Sequence, residues 1–255
     1  MSRGAAPLPH LPHTALVTGA AQGIGRAICE ALGRNGMRIV ALDKDSAALR
    51  TLANDLAGES VDVLPLDADV SEAEAIDAAL ATVAQRGWDI DVLVPCAAID
   101  PREDPLGISR SSAQQQFAVN LLATLQLVAG LVPGMQARRY GRVIAIGSVQ
   151  EERPRRDNLL YAALKAAQTH AVRSWARDCA GGDVTFNVVR PGAIETRRNR
   201  DVLADPVYRQ SVLERIPLKR LGQPHDCAGI VAWLCTDAAS YVNGAVIDVD
   251  GGMRL

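Results

Sequence analysis

Short apolar runs recur along the chain at Ala15–Val17, Arg38–Leu42, Val61–Leu66, Asp91–Val94, Arg142–Ile146, Thr185–Val189 and Ala245–Val249. Hydrophobicity within each is continuous rather than alternating, the mark of strands covered on both faces in a parallel sheet between helices. The intervening stretches are long enough for crossover helices. Arg26–Arg34 and Ala73–Gln85 carry a 3.6-residue apolar rhythm, and Gln114–Val132 reads as another helical stretch. Ser71 with Glu74 makes a candidate capping box ahead of the second of these. Repeated strand–helix units predict a doubly wound, three-layer α/β/α sandwich around a mainly parallel seven-stranded sheet. No repeat, low-complexity tract or linker cuts the pattern, so residues 14–255 read as a single domain. The first thirteen residues, rich in Pro and Gly, read as a flexible leader. One stretch breaks the rhythm: residues 191–224 are polar, Arg-rich and strandless, and follow the sixth strand's carboxyl end, where open α/β sheets bind ligands. That position predicts a lid.

Composition narrows the classes of partner. Of 255 residues 48% are apolar and 22% charged, with a formal net charge of -2, so no basic field draws nucleic acid or an anionic membrane. The five cysteines are scattered, without a Cys-x-x-Cys pair, which argues against a disulfide framework or a zinc site and suits a reducing compartment. His10-x-x-His13 is the sole histidine spacing of interest and lies at the leader, so no metal is expected. No run approaches the ~18 apolar residues needed to span a bilayer, and the leader lacks a signal peptide's apolar centre. The default location is the cytoplasm.

The first strand runs into Thr18-Gly19-Ala20-Ala21-Gln22-Gly23-Ile24-Gly25 and then a helix. Glycines let a backbone turn sharply and approach a pyrophosphate, and a helix start attracts its charge. The second strand ends at Asp43, where a carboxylate can accept hydrogen bonds from adenosine ribose hydroxyls and would repel a 2′-phosphate. Asp69 and Val70 close the third strand beside an adenine edge, although Asp69 could equally cap a helix. Tyr161 and Lys165 stand four apart in LLYAALKAAQ, on one helical face. A phenol of pKa near ~10 is a poor base, and a neighbouring ammonium favours its anion. Ser148 ends the fifth strand, where its hydroxyl can meet a substrate oxygen or simply cap the loop. Asn120, a poor helix former, either holds a water leading to Lys165 or bonds the backbone.

Taken together, TGAAQGIG (18–25), Asp43, DADV (67–70), VNL (119–121), Ser148, YAALK (161–165), PGAIET (191–196) and YVNGAVIDVDGG (241–252) resemble the short-chain dehydrogenase/reductase family from about Thr14 onward. The resemblance implies a Rossmann-like fold, with Tyr161 as acid/base. Lys165 would lower its pKa and hold the nicotinamide ribose, Ser148 would orient the reacting oxygen, and Asn120 would support a proton-relay water. It places an NAD cofactor against Gly19, Gln22, Gly23, Ile24, Gly25, Asp43, Asp69, Val70, Ala97, Tyr161, Lys165, Pro191, Gly192, Ile194 and Thr196. It also implies a tetramer or dimer with the Tyr161 helix in an interface. One departure stands out. Where the family has Asn-Asn-Ala-Gly, this chain reads Pro95-Cys96-Ala97-Ala98, and Pro95 has no backbone N–H to donate.

The expected activity is NAD-linked oxidation of a secondary alcohol, on a sugar, a polyol or a hydroxy acid. Arg153, Arg155, Arg156, Arg197, Arg198 and Arg200 flank the expected pocket and would suit an anionic substrate, yet such runs are usually solvated or paired with acids. Two alternatives stay open: an NADP-linked ketone reductase, and a non-catalytic NAD-binding sensor or scaffold. The partner expected is a small molecule, not nucleic acid or membrane.

Overall fold

The computed structural model describes residues 13–255; the leader falls almost wholly outside them. The elements follow in the order β1 (Thr14–Thr18), α1 (Gly23–Arg34), β2 (Arg38–Asp43), α2 (Ser46–Gly58), β3 (Val63–Asp67), α3 (Ala73–Gln85) and β4 (Val92–Val94). Then come α4 (Arg110–Phe117), α5 (Ala123–Arg138), β5 (Gly141–Ile146), α6 (Leu159–Asp178), β6 (Val184–Pro191), α7 (Arg197–Leu203), α8 (Pro206–Glu214), α9 (Pro224–Leu234) and β7 (Val246–Val249). The seven strands form one sheet in the order β3-β2-β1-β4-β5-β6-β7, and every pairing is parallel. Strand order reverses between β1 and β4, which opens a crevice at their carboxyl ends.

Successive strand residues point to opposite faces, and here both faces are apolar. Ala15, Val17, Ile39, Ala41, Val92, Val94, Ile144 and Ile146 join a core completed by Ile28 and Leu32 of α1, Leu52 and Leu56 of α2, and Val231 and Leu234 of α9. Leu16, Val40, Leu42, Leu93, Val143, Ala145, Phe186 and Val188 face the other layer, packed on Ile76 of α3, Leu127 and Met135 of α5, and Val172 of α6. Each strand is therefore apolar on both sides, the source of the unbroken runs in the sequence.

Two local expectations are corrected. Glu72, not Ser71, is the N-cap of α3 and makes no side-chain cap bond. Ser71 is held instead by Asp69, whose Oδ1 accepts both its backbone N–H and its hydroxyl, each at 2.9 Å. Residues 191–224 hold α7 and α8 and no further strand beyond the end of β6, and Leu203, Val212, Ile216 and Leu221 of this stretch form a small core of their own. Finally, the helical run Arg110–Arg138 reaches a mean hydropathy of 1.6 over 18 residues, so by length and composition one helix among the described residues suffices to cross a bilayer. Its apolar character is interrupted by Thr, Gln, Gly and Pro, which hides it from a search for unbroken runs. Here Leu127, Val128, Val132 and Met135 of that run pack on the sheet.

Candidate active site

The glycine turn leaves β1 with Gly19 at φ 64° and Gly23 at φ 57°, backbone that side chains rarely adopt. A Cβ at Gly19 would sit 2.9 Å from the Ala97 Cα, so this glycine also lets the loop after β4 come close. That loop is the one in which Pro95 and Cys96 replace asparagines. Thr18 braces it instead, its Oγ1 accepting the backbone N–H groups of Cys96 at 3.0 Å and Ala97 at 3.1 Å. The Pro95 carbonyl accepts from Ile146 N at 3.0 Å. The loop carrying the departure is thus held to both β1 and β5.

Asn120 lies in a π-helical turn, Ala118–Leu122, between α4 and α5. Its side chain bonds the backbone of Ile99 twice: Oδ1 accepts from Ile99 N and Nδ2 donates to Ile99 O, both at 2.9 Å. Of the two readings open in the sequence, the amide takes the backbone one. Ser148 follows β5 in extended backbone, and its N–H donates to the buried carboxyl of Glu151 at 2.9 Å. The Ser148 Oγ accepts from Gln150 N at 3.1 Å. The chain beyond it is anchored by Arg190 of β6, which is paired at 2.7 Å with both Glu152 and Asp248 of β7.

Tyr161 and Lys165 sit on the buried face of α6, 8% and 1% exposed. Lys165 Nζ donates to Ile146 O at 2.7 Å and to Gln168 Oε1 at 3.1 Å, and Gln168 in turn donates to Thr124 Oγ1 at 2.8 Å. An ammonium has three protons, so one is left for the cleft. Pro191 closes β6, Ile194 bridges to Gly222, and Thr196 caps α7 beside Gly23. A cleft of about 850 Å³ at the carboxyl ends of the strands is lined by Gly19, Gln22, Gly23, Ile24, Gly25, Asp43, Asp69, Val70, Ala97, Ser148, Tyr161, Lys165, Pro191, Gly192, Ile194 and Thr196. Of the expected catalytic and cofactor-binding residues, Asn120 alone stands behind the wall, fully buried.

The cleft's size, its glycine-backed cradle and the acid at the end of β2 fit a nicotinamide dinucleotide. A family model described as enoyl-(acyl carrier protein) reductase, of the short-chain dehydrogenase/reductase type, matches residues 19–254. The chain belongs to the short-chain dehydrogenase/reductase family. It is 33% identical over 254 residues to the 3-oxoacyl-[acyl-carrier-protein] reductase MabA of Mycobacterium tuberculosis, covering 100% of this chain and 97% of that protein. A structure described as a gluconate dehydrogenase of Agrobacterium tumefaciens superposes with TM-score 0.92 at 30% identity, covering 95% of this chain and 96% of that one. The L-sorbose reductase of Gluconobacter frateurii, complexed with NADPH and L-sorbose, superposes with TM-score 0.90 at 30% identity, covering 95% and 96%.

In this short-chain dehydrogenase/reductase, burial raises the pKa of Tyr161 above the ordinary phenol value, against the pull of the Arg198 charge and of hydrogen bonding from Ser148. Burial likewise pushes the Lys165 ammonium down to about 8. The resemblance implied that Lys165 makes Tyr161 acidic. Desolvation is the larger influence at the phenol, and Lys165 donates two of its protons to Ile146 and Gln168. The cation felt most at the phenol is Arg198.

The Lys165 shift has a sign that can be checked. Its penalty is absent above the ordinary value of 10.5, grows as pH falls, and is complete below about 8, because the unfolded chain holds the extra proton in that window. Stability should therefore gain from this group as pH rises from about 8 toward 10.5. Urea unfolding of Lys165→Met should show a flatter pH slope than the unmodified protein there; parallel slopes would contradict the shift.

Sequence reasoning missed Thr18 and Gln168. The second had a signal, since Gln168 lies three positions after Lys165 on one helical face; the first had none, because a threonine ending a strand is ordinary. The arginines divide as well. Arg155 is ion-paired with Asp100 at 3.0 Å and Asp157 at 3.1 Å, and Arg197 lies 3.7 Å from Asp45. Arg153, Arg156 and Arg200 do not line the cleft, whereas Arg198 does.

Proposed function

We propose that this oxidoreductase is NAD(H)-dependent and interconverts a secondary alcohol and its carbonyl form on a sugar, polyol or hydroxy acid. The carrying observation is that Tyr161, Ser148 and Lys165 line the same cleft as the glycine turn. A bound nicotinamide would accept or supply the hydride. The chain's own residues do the rest. Tyr161 takes the proton of the alcohol oxygen, or returns it to the carbonyl oxygen. Ser148 orients that oxygen, and Lys165, rigidly seated, offers its remaining proton to the ribose. Because the phenol form is favoured, oxidation should accelerate as pH rises while carbonyl reduction should not.

The preference for NAD rests on Asp43. Its Oδ2 accepts from Ala21 N and its Oδ1 from Asp45 N, both at 3.0 Å, so the carboxylate is fixed beside the glycine turn. Fixed there, it suits ribose hydroxyls and opposes a 2′-phosphate. The nearby cations already have acids: Lys44 is paired with Asp69 at 3.1 Å, and Arg197 with Asp45. An NADP-linked carbonyl reductase is the second reading, favoured by the NADPH held in the L-sorbose reductase. Titration of both reduced cofactors by fluorescence decides between them. NADH should bind at least about 10-fold tighter, and Asp43→Ala should narrow that gap; tighter NADPH binding would reverse the assignment. We further infer a homotetramer or dimer in the cytoplasm, with Phe117, Leu122 and Leu159, exposed on α4–α6 in the single chain, covered by a second subunit.

A further inference from the structure

Arg198 differs from the other arginines around the cleft. Arg102 and Arg155 face Asp157, Arg197 faces Asp45, and Arg209 faces Glu195. Arg198 makes no ion pair with a described side chain; its Nη2 donates to the carbonyl of Ala98, across the cleft from α7. It stands in the first turn of α7, which has no acidic residue and where a cation is unfavourable for the helix. Lys165, itself cationic, feels the Arg198 charge as a repulsion. The side chain of Arg215, on the same cleft wall, donates to the carbonyl of Ser211 and makes no ion pair with a described side chain. The acids that act on the phenol, Asp100 and Glu151, already face Arg155 at 3.0 Å and Arg190 at 3.8 Å, so Arg198 and Arg215 line the cleft without an acid of their own among the described side chains, a charge that a bound anion would offset.

We propose that Arg198 is a specificity-determining residue that binds the carboxylate of the substrate, so that the preferred substrate is a hydroxy or oxo acid rather than a neutral alcohol or ketone. The inference rests on the oxidoreductase reading above and names the substrate class for that same site. The other anion at hand is the dinucleotide's pyrophosphate, but its cradle is the glycine turn. Arg198 instead reaches past it to the loop after β4, within the field of Tyr161. Swinging from the Ala98 carbonyl to a carboxylate exchanges a neutral acceptor for a charged one, a gain typical of charge-assisted bonds.

The test uses probe pairs that differ in charge at one group: gluconate against glucitol, and 3-hydroxybutanoate against its primary amide, each with saturating NAD or NADP. The unmodified protein should favour the anion by at least about 10-fold in kcat/KM, in line with one charge-assisted contact. Arg198→Gln should collapse that ratio toward one, mainly through the KM of the anion, and Arg198→Lys should restore part of it. The ratio is the readout because losing this charge also affects the phenol and lowers both members of a pair. Turnover without charge preference, or a ratio unchanged in Arg198→Gln, overturns the inference alone. So does a 10-fold loss of NADH affinity in that variant, which would assign the arginine to the cofactor. Failure of the unmodified protein to turn over any probe overturns the oxidoreductase reading together with it.

Discussion

Tyr161→Phe should lower kcat by about 10²-fold or more on the best alcohol while leaving cofactor affinity within about two-fold. The substitution removes one oxygen from a side chain that is 8% exposed and packed on the inner face of α6, so the ring's packing is retained. On the proposed chemistry, what is lost is the hydroxyl that exchanges a proton with the reacting oxygen: Ser148 is a weaker acid, and Lys165 is already bonded to Ile146 O and Gln168. Steady-state oxidation and reduction, with NADH fluorescence titration alongside, separate the two effects. The variant should also lose the alkaline rise of the oxidation rate, since that rise reports the proton leaving the phenol. Activity surviving within a few-fold would remove Tyr161 from the reaction and favour a protein that binds the dinucleotide without turning it over.

Gly25→Ala is expected to destabilise the protein by about 1–3 kcal/mol and to abolish measurable dinucleotide binding. On propensity alone the change should help, by about 1 kcal/mol, because alanine is the better helix former. Packing decides otherwise. An added Cβ at Gly25 would drive into the carbonyl of Gly19 and lie 3.2 Å from the Ala20 Cα, and backbone cannot rotate away as a side chain can. The start of α1 would have to lift off the turn proposed to cradle the pyrophosphate. Gly229, in the middle of α9, provides the contrast: nothing lies within 4 Å of its added Cβ. Gly229→Ala should therefore stabilise by up to about 1 kcal/mol. Urea unfolding of both variants checks the pair, and a Gly25→Ala protein as stable as the parent would show that the turn yields more easily than its geometry implies.

Much of this was legible in the sequence, for physical reasons. Runs such as Ile39–Leu42 are apolar at every position because each strand is covered twice, so strand placement could be read to within two residues. Gly19, Asp43, Ser148 and Tyr161 each stand at or beyond a strand's carboxyl end or on the buried face of a helix, positions that local patterns specify. What stayed hidden depends on side chains meeting across long stretches of sequence. Thr18 bracing Cys96 and Ala97 spans nearly eighty positions, and nothing local announces it. The helices of residues 191–224 were hidden for another reason: their apolar residues are few and serve a satellite core, so composition showed a polar, strandless lid and no helical period. Asp69 and Ser71 show a third kind of miss, in which an Asx turn competes with a capping box for the same residues.

The widened turn around Asn120 makes the long helix a counting device. It accommodates one residue more than regular winding would, and each residue in a helix advances the phase by about 100°. Excising a single position there would restore ideal winding, yet it would swing the preceding turns, Gln116 and Phe117 included, onto a different side of the cylinder and detach the amide from Ile99. Replacement of a residue in this turn should therefore cost less than removal of one, because only removal changes the phase of the helix on either side of the anchor.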